Sequence, residues 1–267
     1  MDDSLVNALG GAYAGASSEW LTRLLPIAQR LFLALATIEI AWSGIRWALA
    51  DRAGENLLGR LLLKVMGLMV FYTLLLFAPS WMATLISSFA RAGEVASGQP
   101  HLDPGTIAQQ GVDLTIALFD DAGGLLSLLT LPIWVNLAAL FVALAFAAIA
   151  AMLLSTLIES YLVIGAGVLL LGFTGSRWTV TFADGYLVYA VRVGVKLFLL
   201  YLLIGVGMSF PIQWLEALQA GPFSSRALLE VLGGSMIFAF LVFKVPNTAA
   251  AMLGPNASFR LERAYVD

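Results

Sequence analysis

Two carboxylates stand in apolar sequence where little water reaches. Glu39 lies in the run Leu24–Leu49 and Glu159 in the run Pro132–Leu171. An acid in such surroundings either couples the movement of a proton or ion, or is hydrogen-bonded inside a bundle of helices, because facing lipid is costly. Ser43 is one helical turn from Glu39. Arg46 is two turns on, about 10 Å along the axis, too far for an easy direct pair. Packing inside the bundle is the favoured reading of Glu39. Glu159 is read in the same way, or as a boundary residue on the inner side. Arg192 and Lys196 are four apart and share a helical face. Their long stems suit snorkelling toward inner-leaflet phosphates, with contact to a membrane partner as the sharper reading. Lys244, beside Pro246, is expected to snorkel too.

Nothing else in the sequence points to catalysis. There is no cysteine, so there is no disulfide, thiolate metal site or cysteine nucleophile. The single histidine, His101, sits in a polar Gly/Pro-rich stretch. Zinc-protease, Cys-x-x-Cys, phosphate-loop and serine-elbow motifs are missing. Gly172-Phe173-Thr174-Gly175-Ser176-Arg177 lacks the lysine and soluble helix of a phosphate cradle and reads as a turn. No catalytic residue, metal site or cofactor is expected. The net charge of −3 offers no basic field for a nucleic-acid backbone.

The elements that must position these groups are membrane spans. Leu24–Leu49, Leu61–Ile86, Pro132–Leu171, Tyr186–Phe210 and Val231–Leu253 each have at least the roughly 20 residues that cross a hydrocarbon core. Composition agrees, with 60% hydrophobic and 12% charged residues and a mean hydropathy of +0.91. Soluble domains carry about 25% charged residues. The acidic start, Met1-Asp2-Asp3, is unlike a cleaved signal, so the first span is expected to serve as an uncleaved one. The fold class is therefore all-α: a polytopic membrane helical bundle of about five transmembrane helices. Six are possible if Pro132–Leu171, about 60 Å as one helix, folds back near Ser155–Tyr161.

Charge bias orients the chain. Five crossings with an external N-terminus leave inner segments 46–64, 173–196 and 253–267 with four, three and two Lys/Arg. Outer segments 1–30, 87–131 and 211–230 hold two, one and one. This is the positive-inside pattern. It divides the chain into an outer N-terminal segment (1–23), two spans (24–86), an outer loop (87–131), the remaining spans (132–253) and an inner tail (254–267). Within the outer loop, Asp103-Pro104 reads as an N-cap and first helical residue. The helix that follows, Thr106–Asp121, gathers Ile107, Leu114 and Leu118 on one face, an amphipathic surface for a membrane or a partner.

Small residues imply tight helix association. Ala143, Ala147 and Ala151 have small-xxx-small spacing, and Gly165, Gly167, Gly194, Gly205 and Gly207 smooth other span surfaces. No internal repeat of the kind common in transporters is visible. A small-solute or ion transporter that uses Glu39 as its coupling acid remains the alternative reading.

One stretch carries a family resemblance: Glu159-Ser160-Tyr161-Leu162-Val163, Gly167 through Thr179, Ala183, Tyr186-Leu187, Val193 through Phe198 and Gly205-Val206-Gly207. The outer-loop Leu102-Asp103-Pro104 and Ala108-Gln109-Gln110-Gly111 add to it. The chain resembles the TrbL family of conjugal-transfer proteins, the polytopic inner-membrane subunits of type IV secretion systems, over roughly residues 25–250. The resemblance implies a periplasmic N-terminus, about five spans, a large periplasmic loop after the second and a cytoplasmic C-terminus. It also implies a homo-oligomeric ring in the bacterial inner membrane, lipid bilayer around it, other secretion subunits of the inner-membrane complex and periplasmic stalk as partners, and DNA or protein as transient substrate. Many relatives have a long polar C-terminal extension, and the sequence ends at Asp267, so functions of that extension are not expected here.

Overall fold

The computed structural model describes residues 5–49, 57–99, 102–120, 133–219, 225–252 and 259–261. The expected turn Asp51–Asn56, His101 and Pro132 lie outside the described residues, as does most of the tail. The elements are α1 (Leu5–Leu49), α2 (Leu57–Ser97), α3 (Pro104–Asp120), α4 (Ile133–Gly165), α5 (Val168–Leu171), a 3-10 turn (Gly172–Gly175), α6 (Val180–Gly207), α7 (Ser209–Gln219) and α8 (Ser225–Met252). Among the described residues all regular structure is helical.

Among the described residues five helical runs are long and apolar enough to cross a membrane: Leu5–Leu49, Leu57–Ser97, Ile133–Gly175, Val180–Trp214 and Arg226–Met252. The first two are far longer than their apolar windows. With 45 residues, α1 runs about 68 Å. Within its first half, side chains bond along the helix: Ser18 Oγ donates to the Gly15 carbonyl, Thr22 Oγ1 to that of Ser18, and Arg23 pairs with Glu19.

The six-span alternative is corrected here. Ile133 to Gly165 is one unbroken helix of 33 residues, about 50 Å long, and passes straight through Glu159. A lone polar residue does not end a helix whose other faces are packed. The break comes later, at Gly165-Ala166-Gly167, where the Ala166 and Gly167 amides both donate to the Leu162 carbonyl. The short α5 and the 3-10 turn then lead to Ser176, whose backbone is extended (φ −140°, ψ 142°).

The contacts divide the chain into two compact units. One comprises Met1–Gly11, Ser88–Ile158 and Val195–Met252. In it α3 docks through Ile107, Leu114 and Leu118, all nearly fully buried. Gly111 lets α3 press on Phe146, which meets Phe238 edge-on (centroids 6.4 Å apart). Gly205 lies against Ser97, and Gly207 against the Phe238 ring. The face expected to meet a partner is thus spent on the chain's own core. The Ala143, Ala147 and Ala151 stripe has the opposite fate: α4 packs through Val142, Phe146, Ile149 and Leu153, leaving the alanines half-buried or exposed.

The other unit comprises Ala12–Ser87, Glu159–Gly194 and Leu253–Asp267. Its organising element is the buried edge of α1: Ser17, Ala28, Phe32, Ala36, Glu39 and Ser43. From Ala28 onward these fall at steps of four, four, three and four, the helical stripe. Phe32 packs on Tyr72 of α2 (centroids 5.4 Å apart).

Candidate functional site

The broken segment after α4 is laid along the stripe of α1. Ser17 Oγ donates to the Tyr161 carbonyl at 2.7 Å, and a methyl at Gly165 would stand 2.5 Å from the Ser17 carbonyl oxygen. Further along, a methyl at Gly172 would lie 2.8 Å from the Ala28 oxygen, and one at Gly175 would strike the Phe32 carbonyl. Gly167 is covered by the Tyr186 ring, whose hydroxyl donates to the Val163 carbonyl at 3.0 Å. That bond satisfies a backbone acceptor where the helix stops. Irregular backbone at membrane depth is tolerated where protein encloses it.

This contact ends at Glu39, which is fully buried. Lys64 of α2, 3% exposed, donates its ammonium to Oε1 at 2.6 Å. Ser176 donates its hydroxyl to Oε2 at 2.9 Å, and Arg177 Nε stands 3.9 Å from Oε1. Ser176 also shapes the start of α6: its carbonyl accepts from the Thr179 and Val180 amides, and its Oγ from the Trp178 amide at 3.3 Å. The carboxylate therefore sits at the positive end of α6, where a negative charge is favoured. Trp178 meets Trp42 edge-on at 5.6 Å, so two partly exposed indoles flank the charges. Such rings suit the membrane–water boundary.

The arrangement joins α1, α2 and the α6 turn through one acid, two cations and a hydroxyl. Both carboxylate oxygens are occupied. Among the described residues no three His, Cys, Asp or Glu gather as a metal site. Chemically the site is a lock: separating any of the three elements would strand charge in a medium that solvates it poorly.

Of the residues singled out from sequence, only Glu39 belongs to this cluster. Its partner is Lys64, which the charge count had treated as an inner-loop cation. Ser176 and Arg177 had been assigned to a plain turn. Glu159 is half-buried, and it and Arg192 both lie within electrostatic reach of Tyr189. Arg192 and Lys196 are half-buried and engaged by other groups of the protein.

The profile of the TrbL/VirB6 plasmid conjugal transfer proteins matches residues 36–245, a stretch that contains Glu39, Lys64, Ser176 and Arg177. The chain belongs to the TrbL/VirB6 family. It is 28% identical over 235 residues to a probable conjugal transfer protein TrbL of Sinorhizobium fredii, covering 88% of this chain and 59% of that one. It is 26% identical over 243 residues to a conjugal transfer protein TrbL of Rhizobium radiobacter, covering 91% and 61%. The chain thus spans about three fifths of the length of these TrbL relatives. A TrbL-type chain with five membrane-crossing helices is a multi-pass membrane protein.

Proposed function

We propose that the protein is a non-enzymatic inner-membrane subunit of a conjugative type IV secretion machine, a scaffold or channel component that helps pass DNA or protein toward the periplasm. The N-terminus and residues 87–131 are periplasmic, five helices cross, and the tail is cytoplasmic. Copies of the chain form a ring that meets other secretion subunits within the bilayer.

Family membership carries this reading, and the Glu39 lock supports the scaffold role within it. A coupling acid must exchange its proton with water during a cycle. Glu39 instead has no exposed surface and is held by an ammonium and a hydroxyl. One contact agrees with this orientation. Gln110 and Asp113 border a common pocket with Pro211 and Ile212, and the charge bias puts both segments outside.

The test is gene deletion in a donor strain that carries the whole transfer apparatus. Transfer should fall to background and return when the gene is supplied in trans; undiminished transfer by the deletion strain overturns the reading. Glu39→Gln separates it from the transporter alternative. A scaffold variant that still inserts keeps transferring at reduced protein level, whereas a proton-coupled carrier loses transport at normal level.

A further inference from the structure

Arg192 lies too deep in its helix for the snorkelling expected of it. The Trp42–Trp178 pair marks a membrane–water boundary, and α6 starts just beyond it at Val180. Arg192 is twelve residues further on, about 18 Å along the axis and past the middle of a hydrocarbon core of about 30 Å. Lys196 follows one turn later on the same helix. Their stems do not reach back over that depth to a boundary.

The face that carries them is open. Thr181, Gly185, Tyr189 and Arg192 fall at steps of four, four and three, one helical stripe. Thr181 and Gly185 are exposed, Tyr189 is 42% exposed, and Arg192 and Lys196 are half-buried. A methyl at Gly185 would meet no neighbour within 4 Å. Glu159 of α4 is half-buried too and borders this face, since it and Arg192 both act on Tyr189. The exposed side of α2 is different: Met69, Val70, Phe77 and Trp81 present the apolar surface that suits lipid.

An ionisable group at this depth faces either the interior of a bundle or water. The exposure of Gly185 and Tyr189 excludes the interior of this chain. A second copy makes a poor cover. Among the described residues the acids nearest that depth are Glu39, Asp184 and Glu159. Glu39 and Asp184 are buried within their own chain, and Glu159 already belongs to this face. No acid is left over to meet two cations. We infer that the Thr181–Gly185–Tyr189–Arg192 face of α6 is the wall of a water-filled passage within the membrane, and that Arg192 and Lys196, set against Glu159 alone, make that passage favour anions. The inference deepens the channel role proposed above and rests on its membrane placement.

The experiment is cysteine labelling, made clean by a chain that has no cysteine of its own. Gly185→Cys and Tyr189→Cys are compared with Val70→Cys and Phe77→Cys on the exposed side of α2. Spheroplasts and inverted vesicles of donor cells with the complete apparatus receive two membrane-impermeant methanethiosulfonates, one bearing a sulfonate and one a trimethylammonium. The mass of the purified chain reads the labelling. The α6 thiols should react at least tenfold faster than the α2 thiols. Relative to a free thiol, the sulfonate reagent should be preferred. That preference should fall at least threefold in Arg192→Gln and persist in Arg192→Lys. Thr181→Asp adds an acid at an exposed position and should depress the sulfonate rate in the same sense, so the charge test survives an Arg192 variant that fails to insert. Four outcomes overturn the inference: α6 thiols as slow as those of α2, an oxidative link between two copies at Tyr189→Cys with no labelling, a preference for the cationic reagent, or rates indifferent to both charge changes. If gene deletion abolishes transfer while the α6 thiols stay unreactive, the passage wall falls and the secretion role stands. If deletion leaves transfer intact, the secretion role falls, and the labelling still decides the wall.

Discussion

Lys64 Nζ stands 2.6 Å from Oε1 of Glu39, and neither side chain has appreciable contact with the surroundings of the protein. The pair ties the C-terminal half of α1 to the first turns of α2. Through Ser176 it also fixes where α6 begins.

Breaking this pair from one side should cost far more than removing it. Lys64→Met leaves a buried carboxylate with the Ser176 hydroxyl and, at 3.9 Å, Arg177, and a loss of about 3–5 kcal/mol is expected. The double variant Glu39→Leu/Lys64→Met should recover most of that. A double-mutant cycle on unfolding in detergent measures the coupling, and additive losses would contradict it.

The close approach of the 3-10 turn to α1 predicts a contrast between two glycines. Gly175→Val drives a side chain into the Phe32 carbonyl and the Leu35 Cβ, and should cost about 1–3 kcal/mol. Gly44 has open space around the same position, so Gly44→Ala should be neutral or stabilise by up to about 1 kcal/mol through helix propensity. Thermal unfolding of the purified variants reads both.

Asp103 caps α3 and gives it a defined pH response. Burial pushes its carboxyl up, but hydrogen bonds from the Thr106 hydroxyl and amide and from Asn7 outweigh this, so the group titrates below its usual 3.8. A carboxyl lowered by folding contributes fully above its unfolded value and loses that contribution as pH falls through the folded one. Protection of α3 amides from hydrogen exchange should therefore stay flat from pH 7 to about 5 and decline below 3.8. Asp103→Ala should lose about 1 kcal/mol at neutral pH. Asp103→Asn should keep the cap and abolish the pH response.

Tyr186→Phe removes the donor to the Val163 carbonyl at the helix break. The acceptor then stays buried and unsatisfied, and about 1–3 kcal/mol of stability should go with it. Faster amide exchange confined to the neighbourhood of Val163–Gly167 would show that the loss is local; unchanged stability would show that another donor takes over.

Local signals in the sequence were readable. The apolar runs located all five long helices because lipid imposes length and composition together. Asp103-Pro104 marked the start of α3 because capping involves neighbours in sequence. The partners of Glu39 were hidden by distance along the chain. Lys64 is 25 residues away and Ser176 is 137 away, and the lysine mimics an ordinary inner-loop cation. Glu159 drew attention as a helix break because it is polar. The true break lies at Gly165 and Gly167, which the sequence marks as packing residues but not as the end of a helix. The inward face of α3 was readable from its period, but its destination was not, since an apolar stripe fits the protein's own core as well as a partner.

The counter-charge of Glu39 has a consequence for biogenesis. α1 emerges from the ribosome before α2, carrying an acid whose ammonium is still 25 residues short of being made. A lone charged residue near the middle of an inserting helix costs up to about 3 kcal/mol. Delivery of α1 and α2 together would let the pair leave the translocation channel already neutralised. The α6 turn can close over the pair only after Ser176 has been synthesised, so the hairpin must wait, half-sealed, for more than a hundred further residues.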